Sequence, residues 1–319
     1  MKQIIEFRMP EEKAEKLLQP SEGVCLGKSV RKLMLSMSDP LVKRITKIQK
    51  QLMERGDYLF LYSHVHYRYT QSEIQNADAF RLIIKHTFEP TGEQCGTIYD
   101  DSSACGYCGS GGQQISSLSL ETQSLSKKSN LGIAKTIAGE VVVSQRFVDL
   151  FQEHNLKGAW FQAVRQRRNQ AAVIPGWYQL LIKSESLDVV KPTLVGVNHF
   201  DAASIWPMNR GEISEKADAN ASWCDKHGQY RCPLGHTIGL NLLSELSVKK
   251  TEGAEIDIAW TKQKVGVRRG FLRPEPLLVI SPLLWKLVLH QDLKGMAIEI
   301  AHTNHPEEPT PKRGQVSQH

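Results

Sequence analysis

Val143-Ser144, with Leu156-Lys157-Gly158 a fixed distance downstream, is matched by Ile280-Ser281 with Leu293-Lys294-Gly295 at the same spacing. Recurrence at a constant offset without a gap indicates an internal repeat. In each copy an apolar run meets a serine that can cap the first turn of a helix, and the Leu-Lys-Gly turn ends that helix. The sequence therefore predicts two related strand–helix–strand units.

The apolar residues define the parts of each unit. Each predicted helix carries an apolar stripe at helical spacing, Phe147, Leu150 and Phe151 in the first copy and Leu284, Leu287 and Val288 in the second. Pro282 suits the first helical position, where its missing N–H costs nothing. The flanking strands are predicted at Glu140–Val143, Ala159–Val164, Leu277–Ile280 and Met296–Ala301.

Outward from the repeat, the first 90 residues show alternating helical and strand patterns. We predict helices at 11–18, 40–55 and 71–80, and strands at 58–69, 81–88, 177–183 and 193–200. The fold class is therefore α/β or α+β with mixed sheets. The predicted organisation is an N-terminal α/β region (1–88), a cysteine knuckle loop (89–113), the repeated domain (114–302) with a polar excursion at 209–230, and a disordered tail (303–319).

Cys105-Gly-Tyr-Cys108-Gly109 is a C-x-x-C-G knuckle, a tight turn that can present two thiolates to one tetrahedral zinc ion. Cys95-Gly96 has the form of the second half of another such knuckle, with Gly92 in the place of its first cysteine. Cys232-Pro-Leu-Gly-His236 adds two ligand types, and Cys224 and His227 lie close by. We predict a structural zinc site drawn from Cys95, Cys105, Cys108, Cys232 and His236. A knuckle held by turns without metal is the alternative, and redox chemistry is a third.

Other polar pairs admit catalytic interpretations. His64 and His66 lie on one face of a strand and could bind a metal, and Cys232 with His236 could form a nucleophile and base. The chain lacks a phosphate-binding loop, a dinucleotide fingerprint, a nucleophile elbow and an H-E-x-x-H zinc motif. We predict that the protein is not an enzyme.

Composition and charge restrict the class further. Forty basic and 34 acidic residues among 319 give a net charge of +6, and the six cysteines fit thiols or metal ligands in a reducing compartment. No apolar run is long enough to span a membrane. The N-terminus lacks the uninterrupted apolar core of an export signal, so we expect a cytoplasmic protein. Arg268, Arg269 and Arg273 form a basic cluster beside Phe271, and we predict that they contact an acidic protein partner.

With these motifs the chain resembles the bacterial double-CXXCG motif family, over roughly residues 88–302. Its C-terminal unit is similar to that of polymorphic-toxin immunity proteins. The resemblance implies a non-enzymatic bacterial protein that binds and neutralises a cognate toxin. The absent first cysteine, replaced by Gly92, is a departure from the double motif.

The alternative is a zinc-ribbon-like protein that binds nucleic acid through its basic pairs, in which case binding weakens steeply with salt. Aromatic and basic residues interleave on a strand only at His64–Tyr69. An enzyme using Cys232, His236 or the two strand histidines is the third hypothesis, and it predicts turnover that is lost in Cys232→Ala.

Overall fold

The computed structural model describes residues 1–55, 57–106, 108–121, 130–167, 169, 171–184, 186–196, 232, 234–239, 241–249, 256–266 and 273–304. The predicted polar excursion at 209–230 lies outside this set, as does the predicted tail (303–319) from residue 305 on. The first two residues of that predicted tail, Thr303 and Asn304, belong instead to the last strand, where they pair with a neighbouring strand. The described chain combines helices with several mixed sheets, which confirms the predicted α+β class.

The N-terminal unit is a four-stranded antiparallel sheet with two helices on one face. Its strand order is β2-β3-β1-β4, the arrangement of a split βαβ fold. Its elements are β1 (Lys2–Pro10), α1 (Glu11–Leu17), β2 (Val24–Leu26), β3 (Val30–Ser36), α2 (Pro40–Met53) and β4 (Tyr62–Arg68).

Local chemistry explains why these elements form. The Asp39 side chain caps α2 by accepting a hydrogen bond from the Leu41 N–H, and Pro40 occupies the first helical turn. Alternation along β1 buries Ile5, Phe7 and Met9 against the helices and leaves the intervening residues on the opposite face. The N-terminal unit therefore has its own core.

The rest of the described chain forms two large sheets and two small two-stranded sheets. Its elements are α3 (Gln71–Gln75), β5 (Ala79–Ile84), β6 (Thr87–Phe88), a 3-10 turn (Glu93–Cys95), β7 (Tyr99–Asp100), β8 (Gln113–Gln114), β9 (Ser119–Leu120), β10 (Ile133–Thr136), β11 (Val141–Ser144), α4 (Gln145–Glu153), β12 (Ala159–Gln166), β13 (Val173–Ile182), β14 (Asp188–Val189), β15 (Val195–Gly196), β16 (Thr237–Gly239), β17 (Asn241–Leu242), β18 (Leu246–Lys249), β19 (Ile258–Val265), β20 (Glu275–Ile280), α5 (Pro282–His290) and β21 (Met296–Asn304).

The two predicted units are present as β11-α4-β12 and β20-α5-β21. The six-stranded sheet has the order β6-β10-β11-β13-β12-β9, and the seven-stranded sheet has β16-β19-β20-β5-β21-β18 followed by β14. Each strand of the six-stranded sheet has a counterpart in the seven-stranded sheet, with the same parallel or antiparallel pairing, and β14 is the additional strand. The repeat thus extends well beyond the strand–helix–strand unit.

The first strand of each repeat lies in the other repeat's sheet. β5 precedes the first set of strands in sequence but pairs between β20 and β21, whereas β13 pairs between β11 and β12. The registers agree: Val143 pairs with Tyr178 in one sheet, and Ile280 pairs with Phe80 in the other. The repeats, at 79–166 and 173–304, have therefore exchanged their first strands.

Both helices pack into one core between the two large sheets. This cluster contains Phe80 of β5, Phe147 of α4, Leu180 of β13 and Leu284 of α5. Because exchanged strands and both helices contribute to the same core, neither repeat buries its apolar residues alone.

The predicted helix at 71–80 is shorter than expected. α3 begins with a capping box between Thr70 and Glu73 but ends at Gln75. The apolar residues Phe80 and Leu82 alternate, and they belong to the central strand β5, whose pairing on both sides overrides the helical spacing. Among the described residues, no helix combines the length and apolar character needed to cross a membrane.

Candidate metal centre

Four of the five predicted ligands come together in the fold. Cys105, Cys108, Cys232 and His236 place their ligand atoms within 4.8 Å of one another, and this group could hold a metal ion. Three of the four side chains are buried or half-buried, and His236 is exposed. The set joins a loop of the first repeat to residues that lead into β16 of the second.

The knuckle between β7 and β8 positions the first two thiols. The Cys105 N–H donates to the Ser110 carbonyl, and the Gly109 N–H donates back to the Cys105 carbonyl at 2.8 Å. Gly109 has a φ of 73°, a left-handed conformation that glycine adopts without steric cost. The Ser110 N–H points at the Cys108 sulfur at 3.4 Å. This turn presents both sulfurs on one side of the loop.

A second turn positions the other two ligands. The Cys232 N–H donates to the Thr237 carbonyl at 3.0 Å, and the Gly235 N–H donates to the Cys232 carbonyl. Thr237 begins β16, which pairs with β19, and the His236 carbonyl accepts a hydrogen bond from the Lys264 N–H. The pairing of β16 therefore fixes His236 at the edge of the seven-stranded sheet.

Three of the six separations between the ligand atoms lie close to the edges of a coordination tetrahedron. Cys232 Sγ lies 3.7 Å from Cys105 Sγ and 3.7 Å from His236 Nδ1, and Cys108 Sγ lies 3.9 Å from the same nitrogen. A tetrahedral zinc ion with Zn–S near 2.3 Å and Zn–N near 2.0 Å sets these edges at about 3.8 Å and about 3.5 Å. The donor set and its spacing fit such an ion.

Burial and neighbouring groups change the pKa values of a thiol and of a lysine at the site. Burial, together with the neighbouring thiols Cys232 and Cys105, raises the pKa of Cys108 to about 12. Burial lowers the pKa of Lys264, and the nearby Cys108 opposes that shift. A bound metal cation favours the thiolate form of its cysteine ligands, and three thiolates would bring negative charge to the site. The basic Lys264 lies close enough to Cys108 to balance part of that charge.

Cys95 is not among the four grouped ligands. It ends the 3-10 turn, is 2% exposed, and lies close enough to Glu121 for a backbone hydrogen bond to its sulfur. Burial raises the pKa of this thiol. The sequence analysis groups Cys95 with the knuckle cysteines because they are close in sequence, whereas in the fold the Cys95 thiol points toward β9.

The arginine cluster is described only in part. Arg268 and Arg269 lie outside the described residues, as do Cys224 and His227. Arg273 donates to Asp101 at 2.7 Å and to Glu93 at 3.3 Å, and its guanidinium lies 4.1 Å from the centre of the Tyr99 ring. Its side chain is 14% exposed. Arg273 thus braces the knuckle, a role the sequence did not indicate, and its contact with a partner stays a prediction.

The strand histidines lie in the N-terminal sheet, apart from the four ligands. His64 and His66 project from the same face of β4, with ring centres 4.8 Å apart. His66 Nε2 lies 3.0 Å from a carboxylate oxygen of Glu6 on β1. Within the described part of the chain, these histidines do not belong to a group of three or more metal ligands.

A cavity that the sequence did not predict lies where α4 ends and α5 begins. Its volume is about 510 Å³, and His154, Asp257 and Leu283 are among its lining residues. At the corresponding place in the other repeat, Arg146 is the counterpart of Leu283 and donates to the Gln291 carbonyl at 2.6 Å. The repeats therefore differ at this position.

No family model, no curated protein and no solved structure matches this chain.

Proposed function

We propose that Cys105, Cys108, Cys232 and His236 hold one structural zinc ion in a non-enzymatic binding protein. The observation that carries this proposal is the closed Cys₃His set, whose separations suit tetrahedral coordination. Structural zinc sites have four protein ligands, whereas catalytic sites keep one position open for water or substrate. Three sulfurs and one imidazole also favour zinc over magnesium or calcium.

The partner, in this proposal, is a protein toxin that the chain binds and blocks in the bacterial cytoplasm. Support for an immunity function comes from the resemblance of the knuckle and of the Val-Ser…Leu-Lys-Gly unit to the double-CXXCG family. A reducing cytoplasm keeps the three cysteine ligands as thiols that are available to metal. Beside the site, Arg273 is paired with Glu93 and Asp101 and burial lowers the pKa of Lys264, which disfavours a zinc ribbon that binds phosphates there.

The zinc proposal is tested by elemental mass spectrometry on protein purified without chelator or affinity metal. We expect about one zinc per chain, lost in Cys105→Ser/Cys108→Ser and in Cys232→Ser. Cys95→Ser is the matched control, because it removes a buried thiol outside the ligand group, and it should keep the metal. Metal-free wild-type protein, or zinc lost in Cys95→Ser and kept in Cys232→Ser, contradicts the assignment.

The binding proposal is tested with the product of the gene adjacent to this chain's gene. Bacterial growth is measured when that product is induced with and without this chain, and complex formation is measured by titration calorimetry with the purified pair. Restored growth together with a stoichiometric complex is the expected result. Growth restored without a complex, or by a chain acting catalytically at substoichiometric amounts, contradicts neutralisation by binding.

A further inference from the structure

The N-terminal sheet has one face without helices, and the strand register defines its residues. α1 and α2 pack on the face that contains Ile5, Phe7 and Leu33. The opposite, helix-free face carries Lys2, Ile4, Glu6 and Arg8 from β1, Lys32 and Met34 from β3, and Tyr62, His64, His66 and Arg68 from β4.

This helix-free face is basic. Lys2, Arg8, Lys32 and Arg68 supply four cations, and Glu6 is the carboxylate among them. Lys2 and Arg68 are exposed and lie directly opposite each other on β1 and β4. The face therefore has an excess of positive charge, which complements a polyanion.

The carboxylate of Glu6 is neutralised inside the sheet. Its side chain is 4% exposed, and its oxygens lie 2.7 Å from Arg8 Nε, 3.0 Å from His66 Nε2 and 3.4 Å from Lys32 Nζ. The side chains of Arg8 and Lys32 are nevertheless 42% and 31% exposed. Both cations therefore keep donors for a ligand while Glu6 fixes their positions.

Aromatic rings lie beside these cations. Tyr62, His64 and His66 follow one another along β4, with ring centres 6.2 Å and 4.8 Å apart. The Arg8 guanidinium lies 4.7 Å from the centre of the Tyr62 ring, and Tyr62 is 36% exposed. Aromatic side chains in a basic groove stack unpaired bases, and RRM modules do so on a four-stranded sheet. Here the rings lie on the outer strand β4.

We propose that the helix-free face of the N-terminal sheet binds a single-stranded nucleic acid. Lys2, Arg8, Lys32 and Arg68 contact phosphates, and Tyr62 and His66 stack bases. A single strand fits better than a duplex, because the rings project from a sheet and only unpaired bases present their faces to them. This function is separate from the zinc site and from toxin binding.

The test uses fluorescence anisotropy of labelled 15-mer oligo-dT, oligo-U and a DNA duplex of the same length with the full chain. Single strands should bind more tightly than the duplex, and binding should weaken with salt. Tyr62→Ala should weaken binding at least about fivefold, because a stacked base contributes roughly 1–3 kcal/mol, while Tyr62→Phe keeps the ring and should bind like the wild type.

Charge is tested with two matched double variants. Lys2→Ala/Arg68→Ala removes two cations from the helix-free face, and Lys43→Ala/Lys47→Ala removes two exposed cations from α2 on the other side. Only the first should weaken binding, and it should reduce the salt slope by about 1.4, since each phosphate contact on a single strand contributes about 0.7.

Several outcomes overturn the proposal. These are no binding at 50 mM salt and 100 µM protein, equal losses in the two double variants, and a duplex bound as tightly as the single strands. Cys105→Ser/Cys108→Ser should bind oligonucleotide like the wild type. If that variant loses binding while Lys2→Ala/Arg68→Ala does not, the knuckle carries the interaction and the assignment to the helix-free face is wrong. Failure here leaves the metal content and the toxin titration unaffected.

Discussion

Two glycines at equivalent positions of the repeats should be irreplaceable for the same reason. Gly158 and Gly295 have φ values of 107° and 98°, in the region that L residues rarely adopt. A Cβ at Gly158 would lie 2.2 Å from the Ile258 carbonyl oxygen, and one at Gly295 would lie 2.3 Å from the Ile133 carbonyl oxygen. Each oxygen belongs to the other repeat, at the start of β19 or of β10.

The magnitude follows from two contributions to the free energy of unfolding. The positive φ costs a non-glycine residue about 1–2 kcal/mol. The backbone overlap adds about 1–3 kcal/mol, as in overpacked cores, since the contacted atom is a carbonyl and cannot rotate away. Gly158→Ala and Gly295→Ala should therefore each destabilise the protein by about 2–5 kcal/mol, a large share of a typical stability of about 5–15 kcal/mol.

Urea unfolding followed by tryptophan fluorescence measures these differences. Gly176→Ala is the matched control, because Gly176 also has a positive φ, 76°, but a Cβ there would meet nothing within 4 Å. Gly176→Ala should lower the free energy of unfolding only by the contribution of the positive φ, about 1–2 kcal/mol. If Gly158→Ala and Gly295→Ala cost no more than Gly176→Ala, the close approach of the two repeats at these turns is not as described.

Two further predictions concern charged groups. Burial, with repulsion from His66, Arg81 and Lys85, lowers the pKa of His64 to about 4. Folding therefore favours the neutral imidazole. The free energy of unfolding should be unaffected above about pH 6.5 and should decrease toward pH 4 by at most about 3 kcal/mol. His64→Gln should flatten this slope in urea titrations at pH 7.5 and 5, and an unchanged slope would refute the assignment to His64. Arg273→Ala leaves Asp101 and Glu93 without their shared cation and should cost about 2 kcal/mol of stability, with faster loss of metal to chelator. Arg273→Lys should restore less than half, because lysine cannot bind the carboxylates in a fork or stack on Tyr99; full rescue by lysine contradicts the bracing role.

The sequence predicts what depends on neighbouring residues and misses what depends on distant pairing. The β11-α4-β12 unit and its copy follow from apolar spacing, a serine at each helix N-cap and the Leu-Lys-Gly turn, and all of these are local signals. Of the two predicted caps, only Ser281 accepts a hydrogen bond, from the Leu284 N–H, and the Ser144 side chain makes none. Each helix also ends before its Leu-Lys-Gly turn, at Glu153 and at His290. The exchange of β5 and β13 is set by the pairing of Phe80 with Ile280 and of Tyr178 with Val143, across long stretches of chain. Residue types alone do not encode which of two similar sheets receives a strand.

In the candidate site, too, local features are predictable from the sequence and long-range contacts are not. Cys105 and Cys108 are predictable because one turn presents both, and Cys232 with His236 because they lie only four positions apart. Cys95 is attractive by proximity in sequence, but the 3-10 turn at Glu93–Cys95 carries its thiol toward β9. The bracing arginine could not be inferred, because Arg273 lies 172 residues from Asp101 in the chain.

Strand exchange gives the proposed zinc ion a specific structural task. Between β13 in the six-stranded sheet and β16 at one edge of the seven-stranded sheet, the chain passes through β14 at the opposite edge of the seven-stranded sheet. Cys105 and Cys232 are separated by 127 residues, and closing a loop of that length in the unfolded chain costs entropy. By the chain-entropy argument used for disulfides, a cross-link over about 100 residues offsets about 4–5 kcal/mol of that cost. The proposed metal ion would tie the knuckle of the first repeat to the residues that lead into β16 of the second, and so add to the pairing with β19 that holds β16 in its sheet.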